Sequence, residues 1–174
     1  MGQVSSKISV CLVEGSAFIK ISGKADSALS KEFKRLITQL SRDPAMSIVL
    51  DLSDCLFMDS TFLGILARFG NDRDRAQPKL AAPSIINASP KILELLDNLA
   101  VLSVFRVAKL AELRDIQYTD LPSASGPWSK EERTEHCLEA HRTLAALSPE
   151  NAERFKDVVH FLEEDLAKQR GSAG

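Results

Sequence analysis

The sequence predicts an α/β fold in which a mixed β-sheet packs against helices, followed by a C-terminal helical hairpin. Short apolar runs alternate with amphipathic helical patterns over the first 110 residues, which is typical of successive βα units. The first two runs, residues 8–13 and 17–21, flank a Glu-Gly-Ser turn and therefore predict an antiparallel β-hairpin. Beyond residue 128 only helical patterns remain.

After the β-hairpin the pattern predicts a first helix. Asp26 or Ser27 can cap its N-terminus. Its apolar positions recur at helical spacing, at Leu29, Phe33, Leu36, Ile37 and Leu40. Pro44 disfavours helical geometry at the residue before it, so the helix ends by that point.

The central segment combines a strand with a helix. Residues 47–52 (SIVLDL) form a nearly continuous apolar run that favours a buried strand, although six residues alone do not exclude a helix. Apolar residues at helical spacing follow, at Phe62, Leu63, Ile65, Leu66 and Phe69. Asp59, Ser60 and Thr61 therefore lie where a loop enters a helix.

Two interpretations of this helix start remain open on the pattern alone. Asp59 or Ser60 can simply cap the helix, as such residues commonly do. Alternatively, because a helix N-terminus favours negative charge, the Ser60 hydroxyl can carry a phosphate there. A phosphate adds a charge of about −1.5 to −2 at neutral pH.

The remaining elements of the sheet follow in βα order. Residues 79–86 predict a strand that two prolines confine to an edge or interrupt. Ser89 and Pro90 are a cap and a first-turn proline, and they predict a third helix. Residues 101–107 (VLSVFRV) predict the last strand, giving the order β-β-α-β-α-β-α-β.

Composition indicates one domain with an appendage. A hydrophobic fraction of 44% is sufficient for a core, and a net charge of −2 gives no bulk case for nucleic acid or membrane binding. Residues 1–110 carry 14 Lys/Arg and 11 Asp/Glu, whereas residues 111–174 carry 8 and 13, so the tail is acidic. No segment is long and apolar enough for a membrane span. Three widely separated cysteines indicate reduced thiols in a cytoplasmic protein.

The tail predicts a linker and a helical hairpin. We divide the chain into a domain at 1–112, a linker at 113–128 and a hairpin at 129–170. Ser129 and Glu132 match a capping box, and Ser148 with Pro149 starts the second helix. About 40 residues of hairpin are too few for an independent core, so its apolar stripe must pack on the domain, on a second copy or on a partner.

No catalytic, metal or cofactor site is predicted. The three histidines, His136, His141 and His160, all lie in the tail, remote in sequence from Ser60. The two in the first tail helix lack the Glu-x-x-His pattern of metal-binding bundles. No glycine-rich phosphate loop is present in the sequence.

The central segment resembles the STAS domain, which sulfate transporters and anti-sigma factor antagonists share. The resemblance rests on the strand 48–52 (IVLDL) and on the run 57–64 (FMDSTFLG) that opens a helix. Residues 23–26 (GKAD) match the loop that opens the first helix of the family, and Ser89-Pro90 matches the start of its third helix. The similarity extends over about residues 8–110.

The resemblance implies roles for particular residues. Ser60 corresponds to the serine that an anti-sigma kinase phosphorylates, Asp26 and Asp59 flank it, and Thr61 provides a second hydroxyl. Phe62 replaces a small residue and is expected to alter the surface beside the phosphorylation site. The implied partner-binding residues are Asp26, Asp59, Thr61, Phe62 and Leu63.

The implied function is that of an anti-sigma factor antagonist without enzymatic activity of its own. Such a protein binds an anti-sigma factor with serine kinase activity, is released when Ser60 is phosphorylated, and is restored by a phosphatase. Two alternatives remain: a STAS scaffold that binds a partner constitutively, and a module that binds a nucleotide or another small ligand. We expect the hairpin to mediate self-association or a second partner contact.

Overall fold

The computed structural model of the chain describes residues 5–76, 82–108, 116–123 and 126–172. The strands are β1 Lys7–Val13, β2 Ser16–Ala25, β3 Ser47–Asp51, β4 Cys55–Met58, β5 Ser84–Ile86, β6 Arg106–Ala108 and β7 Thr119–Asp120. The α-helices are α1 Ser27–Leu40, α2 Ser60–Ala76, α3 Pro90–Asn98, α4 Lys130–Ala145 and α5 Pro149–Gly171. A 3₁₀ helix spans Val101–Val104.

The sheet is mixed, as the sequence predicts. Its strand order is β6-β5-β3-β2-β1-β7, and β4 pairs with the C-terminal end of β2. Strands β2, β3, β5 and β6 are parallel neighbours, whereas β1 is antiparallel to both β2 and β7. The crossovers from β2 outward to β6 all run in one direction, so right-handed connections place α1, α2 and α3 on one face.

That face holds the core. Successive side chains of a strand point to opposite faces, and in β2 the fully buried residues alternate with half-exposed ones. Phe33 of α1 lies at the centre of the helical layer, with its ring centroid 5.3 Å from that of Phe62 and 6.1 Å from that of Phe69. The helical layer therefore packs through aromatic rings contributed by α1 and α2.

Three segments differ from the predicted elements. Residues 55–58 form a fourth strand beside β2, which the sequence analysis did not predict. The predicted strand at 101–107 is instead the 3₁₀ helix followed by the short strand β6, because Ala100 adopts a left-handed φ of 57° that turns the chain after α3. Of the predicted strand at 79–86, Ser84–Ile86 is observed, and residues 77–81 lie outside the described part.

The predicted linker also contributes to the sheet. Thr119 and Asp120 form β7, which pairs with β1. The Asp120 carboxylate accepts hydrogen bonds from Lys7 Nζ at 2.9 Å and from Ser9 Oγ at 2.7 Å. The ion pair between Lys7 and Asp120 thus holds the segment before the hairpin at the edge of the sheet. A sequence pattern of apolar residues does not predict such a contact.

The C-terminal helices form the predicted hairpin with the predicted caps. Ser129 and Glu132 make a complete capping box at the start of α4. Ser148 caps α5 through the amide of Asn151, with Pro149 in the first turn. The two helices pack on each other, and α4 also packs on α2. In the described part of the chain, no helix is both long enough and apolar enough to span a bilayer.

Two turn glycines allow a matched stability test. Gly15 and Gly23 both have left-handed backbones, with φ of 78° and 72°. A Cβ at Gly15 would meet nothing within 4 Å, whereas one at Gly23 would lie 2.9 Å from the Cα of Ser6. We expect Gly15→Ala to lower the unfolding free energy by about 1 kcal/mol. Gly23→Ala should cost about 2–4 kcal/mol, because a steric clash adds to the backbone strain. Equal shifts in urea midpoint would contradict this account.

Candidate functional site

Asp59 joins the N-termini of two helices. Its Oδ1 accepts a hydrogen bond from the Phe62 amide at 2.8 Å, and its Oδ2 accepts one from the Ser27 amide at 2.8 Å. Its own amide donates to the carbonyl of Ala25 at the end of β2, at 3.0 Å. Asp59, rather than Ser60, therefore caps α2, and the same carboxylate holds the start of α1 beside it.

Asp26 lies at the same end of the sheet. Its Oδ1 accepts a hydrogen bond from the Leu29 amide at 3.0 Å. Asp26 therefore caps α1, which is one of the two caps, Asp26 or Ser27, that the sequence predicts. The Asp26 side chain is exposed. Because the next residue, Ser27, donates its amide to Asp59, the two predicted carboxylates belong to one cluster around the N-termini of α1 and α2.

Ser60 is the first residue of α2, and its side chain is half-buried. Its Oγ lies 2.9 Å from Nε2 of His141 in α4. Nδ1 of His141 lies 2.7 Å from the carbonyl oxygen of Cys137, which can only accept, so this nitrogen carries the proton in the neutral ring. Nε2 is then the acceptor, and the Ser60 hydroxyl donates to it.

The partner of Ser60 is the residue that the sequence analysis missed. The histidines were set aside because of their distance in sequence, yet the fold brings together Ser60 and His141, which are 81 residues apart. His141 is buried, with its ring centroid 5.6 Å from that of Phe155 in α5. The available signal was its position at helical spacing from Leu138 and Leu144 in the stripe of α4, which was expected to pack on the domain, on a second copy or on a partner.

Three of the predicted partner-binding residues are buried. Phe62 is fully buried against Phe33, and Leu63 is 1% exposed. Both side chains therefore belong to the core of the described structure, and their contact with a partner stays a prediction. Thr61 is also buried, and its Oγ1 lies 3.7 Å from Sγ of Cys137 in α4.

The hairpin contacts the domain through polar and charged pairs as well as through apolar side chains, of which Ala140, Leu144 and Phe155 belong to the core. The Glu139 carboxylate in α4 lies between Lys34 Nζ and Arg68, whose Nη1 is 2.8 Å from it. Nδ2 of Asn151 donates to the carbonyl of Leu99 at the end of α3, at 2.9 Å. The acidic hairpin thus pairs with basic residues of the domain, in agreement with their opposite net charges.

A second serine–histidine pair lies between α1 and α4. Ser30 Oγ donates to the Ser27 carbonyl at 2.7 Å and lies 2.7 Å from Nε2 of His136, which therefore carries the proton. The pKa of His136 is lowered from 6.5 to about 4. Burial is the largest cause, the positive charges of Lys34 and Lys31 act in the same direction, and Glu139 opposes them. His136 is neutral at physiological pH.

The chemistry available at this site is that of a serine hydroxyl at a helix N-terminus. Within the described ranges, no group of three or more His, Cys, Asp or Glu side chains is placed to hold a metal ion. Ser60 of α2 and His141 of α4 form a donor–acceptor pair at the contact between these two helices. What the arrangement offers is a modifiable hydroxyl at the contact between two parts of the molecule.

The STAS domain family model matches residues 8–113, and the chain belongs to this family. Its fold resembles the unphosphorylated form of the anti-sigma factor antagonist SpoIIAA, at 16% identity and a TM-score of 0.49 over 58% of this chain and 87% of that one. An anti-sigma factor antagonist from Mycobacterium paratuberculosis gives 19% identity and a TM-score of 0.48 over 63% and 87%. No curated protein sequence matches the chain significantly.

Removing the Asp59 carboxylate should destabilise the domain more than removing an ordinary cap. Asp59→Ala leaves two backbone amides without their acceptor, whereas Asp26→Ala leaves one exposed amide. We expect losses in unfolding free energy of about 2–3 kcal/mol and about 1 kcal/mol, respectively. Urea denaturation measures both, and equal losses would show that Asp59 acts only as a cap of α2.

Acidification should weaken the folded chain through His136. Its folded pKa lies below the ordinary value, so the unfolded chain binds more protons between about pH 6.5 and pH 4. Stability contributed by the neutral ring is present above this window and is lost as the pH falls through it. Between pH 7 and pH 5 we expect the wild-type chain to lose about 1–2 kcal/mol more than His136→Gln. Identical pH profiles in urea denaturation would contradict this assignment.

Proposed function

We propose that this chain is a cytoplasmic anti-sigma factor antagonist that acts as a phosphorylatable protein-interaction switch. In its unmodified form it binds an anti-sigma factor with serine kinase activity, and phosphorylation of Ser60 releases it. The observation that carries the proposal is the position of Ser60. It is the first residue of α2 in a STAS domain, next to the Asp59 carboxylate and close to the start of α1, where Asp26 is exposed.

The modification is a phosphoryl transfer performed by the partner. A bond forms between Ser60 Oγ and the γ-phosphorus of ATP, the bond to the bridging oxygen of ADP breaks, and the hydroxyl proton passes to a base of the kinase. A phosphatase reverses the change by hydrolysis. The chain itself supplies only the hydroxyl and the local electrostatics.

Electrostatics supports the direction of the switch. Phosphate adds about −1.5 to −2 charge at a place that already carries the Asp59 and Asp26 carboxylates. A partner surface that accommodates an uncharged hydroxyl beside two acids must then desolvate and oppose a third negative group. Like-charge repulsion and desolvation both disfavour the complex, so the phosphorylated protein is released.

One observation favours the alternative of a constitutive scaffold. The Ser60 hydroxyl is half-buried and already engaged by His141, as a purely structural serine would be. In that case a charge at position 60 would leave partner binding unchanged. The two functions are therefore distinguished by the response of the partner to negative charge at this position.

The test combines phosphorylation with binding. The full chain, Ser60→Ala and Ser53→Ala are incubated with the candidate anti-sigma kinase and Mg-ATP, and the modified residue is located by mass spectrometry. We expect phosphate on Ser60 in the wild type and in Ser53→Ala, whose altered side chain is exposed, and none in Ser60→Ala. Ser60→Asp should bind the partner kinase at least about tenfold more weakly than wild type does, measured with ADP in place of ATP so that no phosphate is transferred. Labelling at another residue, or full affinity of Ser60→Asp, would favour the scaffold.

A further inference from the structure

We propose that the C-terminal hairpin formed by α4 and α5 is an autoinhibitory lid. It occupies the face formed by α1 and α2, and it masks Ser60 until it is displaced. This inference rests on the proposed function, because the masked group is the residue to be phosphorylated. It goes further because it states that, in the resting protein, a segment of the same chain occupies the face of α1 and α2 on which the partner docks.

The fit of α4 on α2 is close. A Cβ built on Gly64 would lie 2.2 Å from the carbonyl oxygen of Ala140 and 2.6 Å from its Cα. Only a glycine on one helix and a small residue on the other allow the two backbones to approach this far. The face around Gly64 is thus shaped to receive a helix, and α4 is the helix that it receives.

His141 of the lid engages the reactive atom of Ser60, whose side chain is half-buried. The hydrogen bond from Ser60 Oγ to His141 Nε2, at 2.9 Å, leaves no room for a phosphorus atom and three oxygens between the two side chains. A kinase active site, which must surround the hydroxyl and the γ-phosphate, has no access while α4 is in place. Conversely, phosphorylated Ser60 is sterically incompatible with the docked hairpin.

Charge defines what the face recognises. Lys34 of α1 and Arg68 of α2 converge on the Glu139 carboxylate of α4, the residue directly before Ala140 and two before His141. A competing helix must therefore offer a small residue opposite Gly64 and a carboxylate between these two cations. This pattern describes the chemistry of a partner able to displace the lid.

The connection allows the lid to open without unfolding the sheet. Leu121 donates its amide to the Ile8 carbonyl at 2.8 Å, immediately after β7, and α4 begins at Lys130. The eight residues between them can span about 25 Å when extended. Water replaces the ion pairs and side-chain hydrogen bonds of the lid at little cost, whereas exposure of Ala140, Leu144 and Phe155 keeps the open fraction small.

Masking has a quantitative consequence. A partner that binds only the open chain has an apparent affinity reduced by the fraction of molecules that are open. The same fraction limits the rate at which Ser60 is phosphorylated when opening and closing are fast. A variant that fixes the lid or displaces it must therefore change binding and phosphorylation together.

A disulfide lock tests closure directly. Thr61 Oγ1 and Cys137 Sγ lie 3.7 Å apart across the contact, so Thr61→Cys places two sulfur atoms within reach of a bond after a small rotamer change. In a Cys11→Ser background, oxidised glutathione takes the two electrons and protons of the thiols. With ADP, we expect the oxidised full chain to bind the kinase at least about tenfold more weakly than the same chain after reduction. With Mg-ATP, Ser60 of the oxidised chain should be phosphorylated at least about tenfold more slowly.

The matched control removes the second sulfur. Thr61→Cys with Cys137→Ser in the same background carries the same change on α2 but cannot form the lock. Its binding and phosphorylation should not respond to oxidation and reduction. Equal phosphorylation of the locked and reduced chains would overturn the lid.

A steric wedge tests opening in the reverse direction. Gly64→Ala improves the helix propensity of α2 but places its Cβ against the Ala140 backbone, so α4 must move away. Gly171→Ala, in the last turn of α5 with nothing within 4 Å of its Cβ, is the matched control. In Gly64→Ala we expect amide hydrogen exchange in α4 and phosphorylation of Ser60 to be at least about tenfold faster, with no change in Gly171→Ala.

The two readouts distinguish failure of the lid from failure of the proposed function. Unchanged hydrogen exchange in Gly64→Ala, or phosphorylation of Ser60 that is detected and equally fast in Gly64→Ala and wild type, would overturn the lid alone. Faster exchange in α4 without any phosphate on Ser60 in any variant would contradict the proposed phosphorylation switch. Faster exchange with faster phosphorylation is the result that supports both.

Discussion

The Asp59 carboxylate is the constraint on which the arrangement of this molecule depends. It accepts the amide of Ser27 at the start of α1 and that of Phe62 in the first turn of α2, while its own amide bonds to the Ala25 carbonyl at the end of β2. One residue therefore fixes a strand end and two helix starts. Because Ser60 follows it directly, the same bonds determine where the Ser60 hydroxyl lies.

The helical face that this constraint creates is completed by the C-terminal hairpin. Two helices of this size expose too much surface to fold alone, so the stripe of α4 needs a surface to cover it. The domain provides one with matching properties: Gly64 admits the backbone of Ala140, and Lys34 with Arg68 neutralises Glu139. The ion pairs of Glu139 with Lys34 and Arg68 agree with the opposite net charges of the domain and the tail.

The contact that stabilises the hairpin also involves the group proposed to be modified. His141 accepts a hydrogen bond from the Ser60 hydroxyl, and His136 donates one to Ser30, so two hydroxyls of the domain are engaged by one helix. Hydrogen bonds of this kind contribute little net free energy, because water replaces them when the helices separate. These bonds therefore specify one docked geometry, while Ala140, Leu144 and Phe155 of the hairpin bury apolar surface in the core.

The sequence by itself determined the helices, most of the strands, the caps at Ser129 and Ser148, and the position of Ser60 at a helix start, because periodicity and capping depend on neighbouring residues. It did not determine which residue caps α2, the burial of Phe62 or the short strand β7. Above all, it did not place His141 against Ser60. That pair joins residues 81 positions apart, and it exists only because α4 packs on α2 at Gly64. No local pattern encodes such a distance, since it depends on the packing of surfaces that form after the elements themselves.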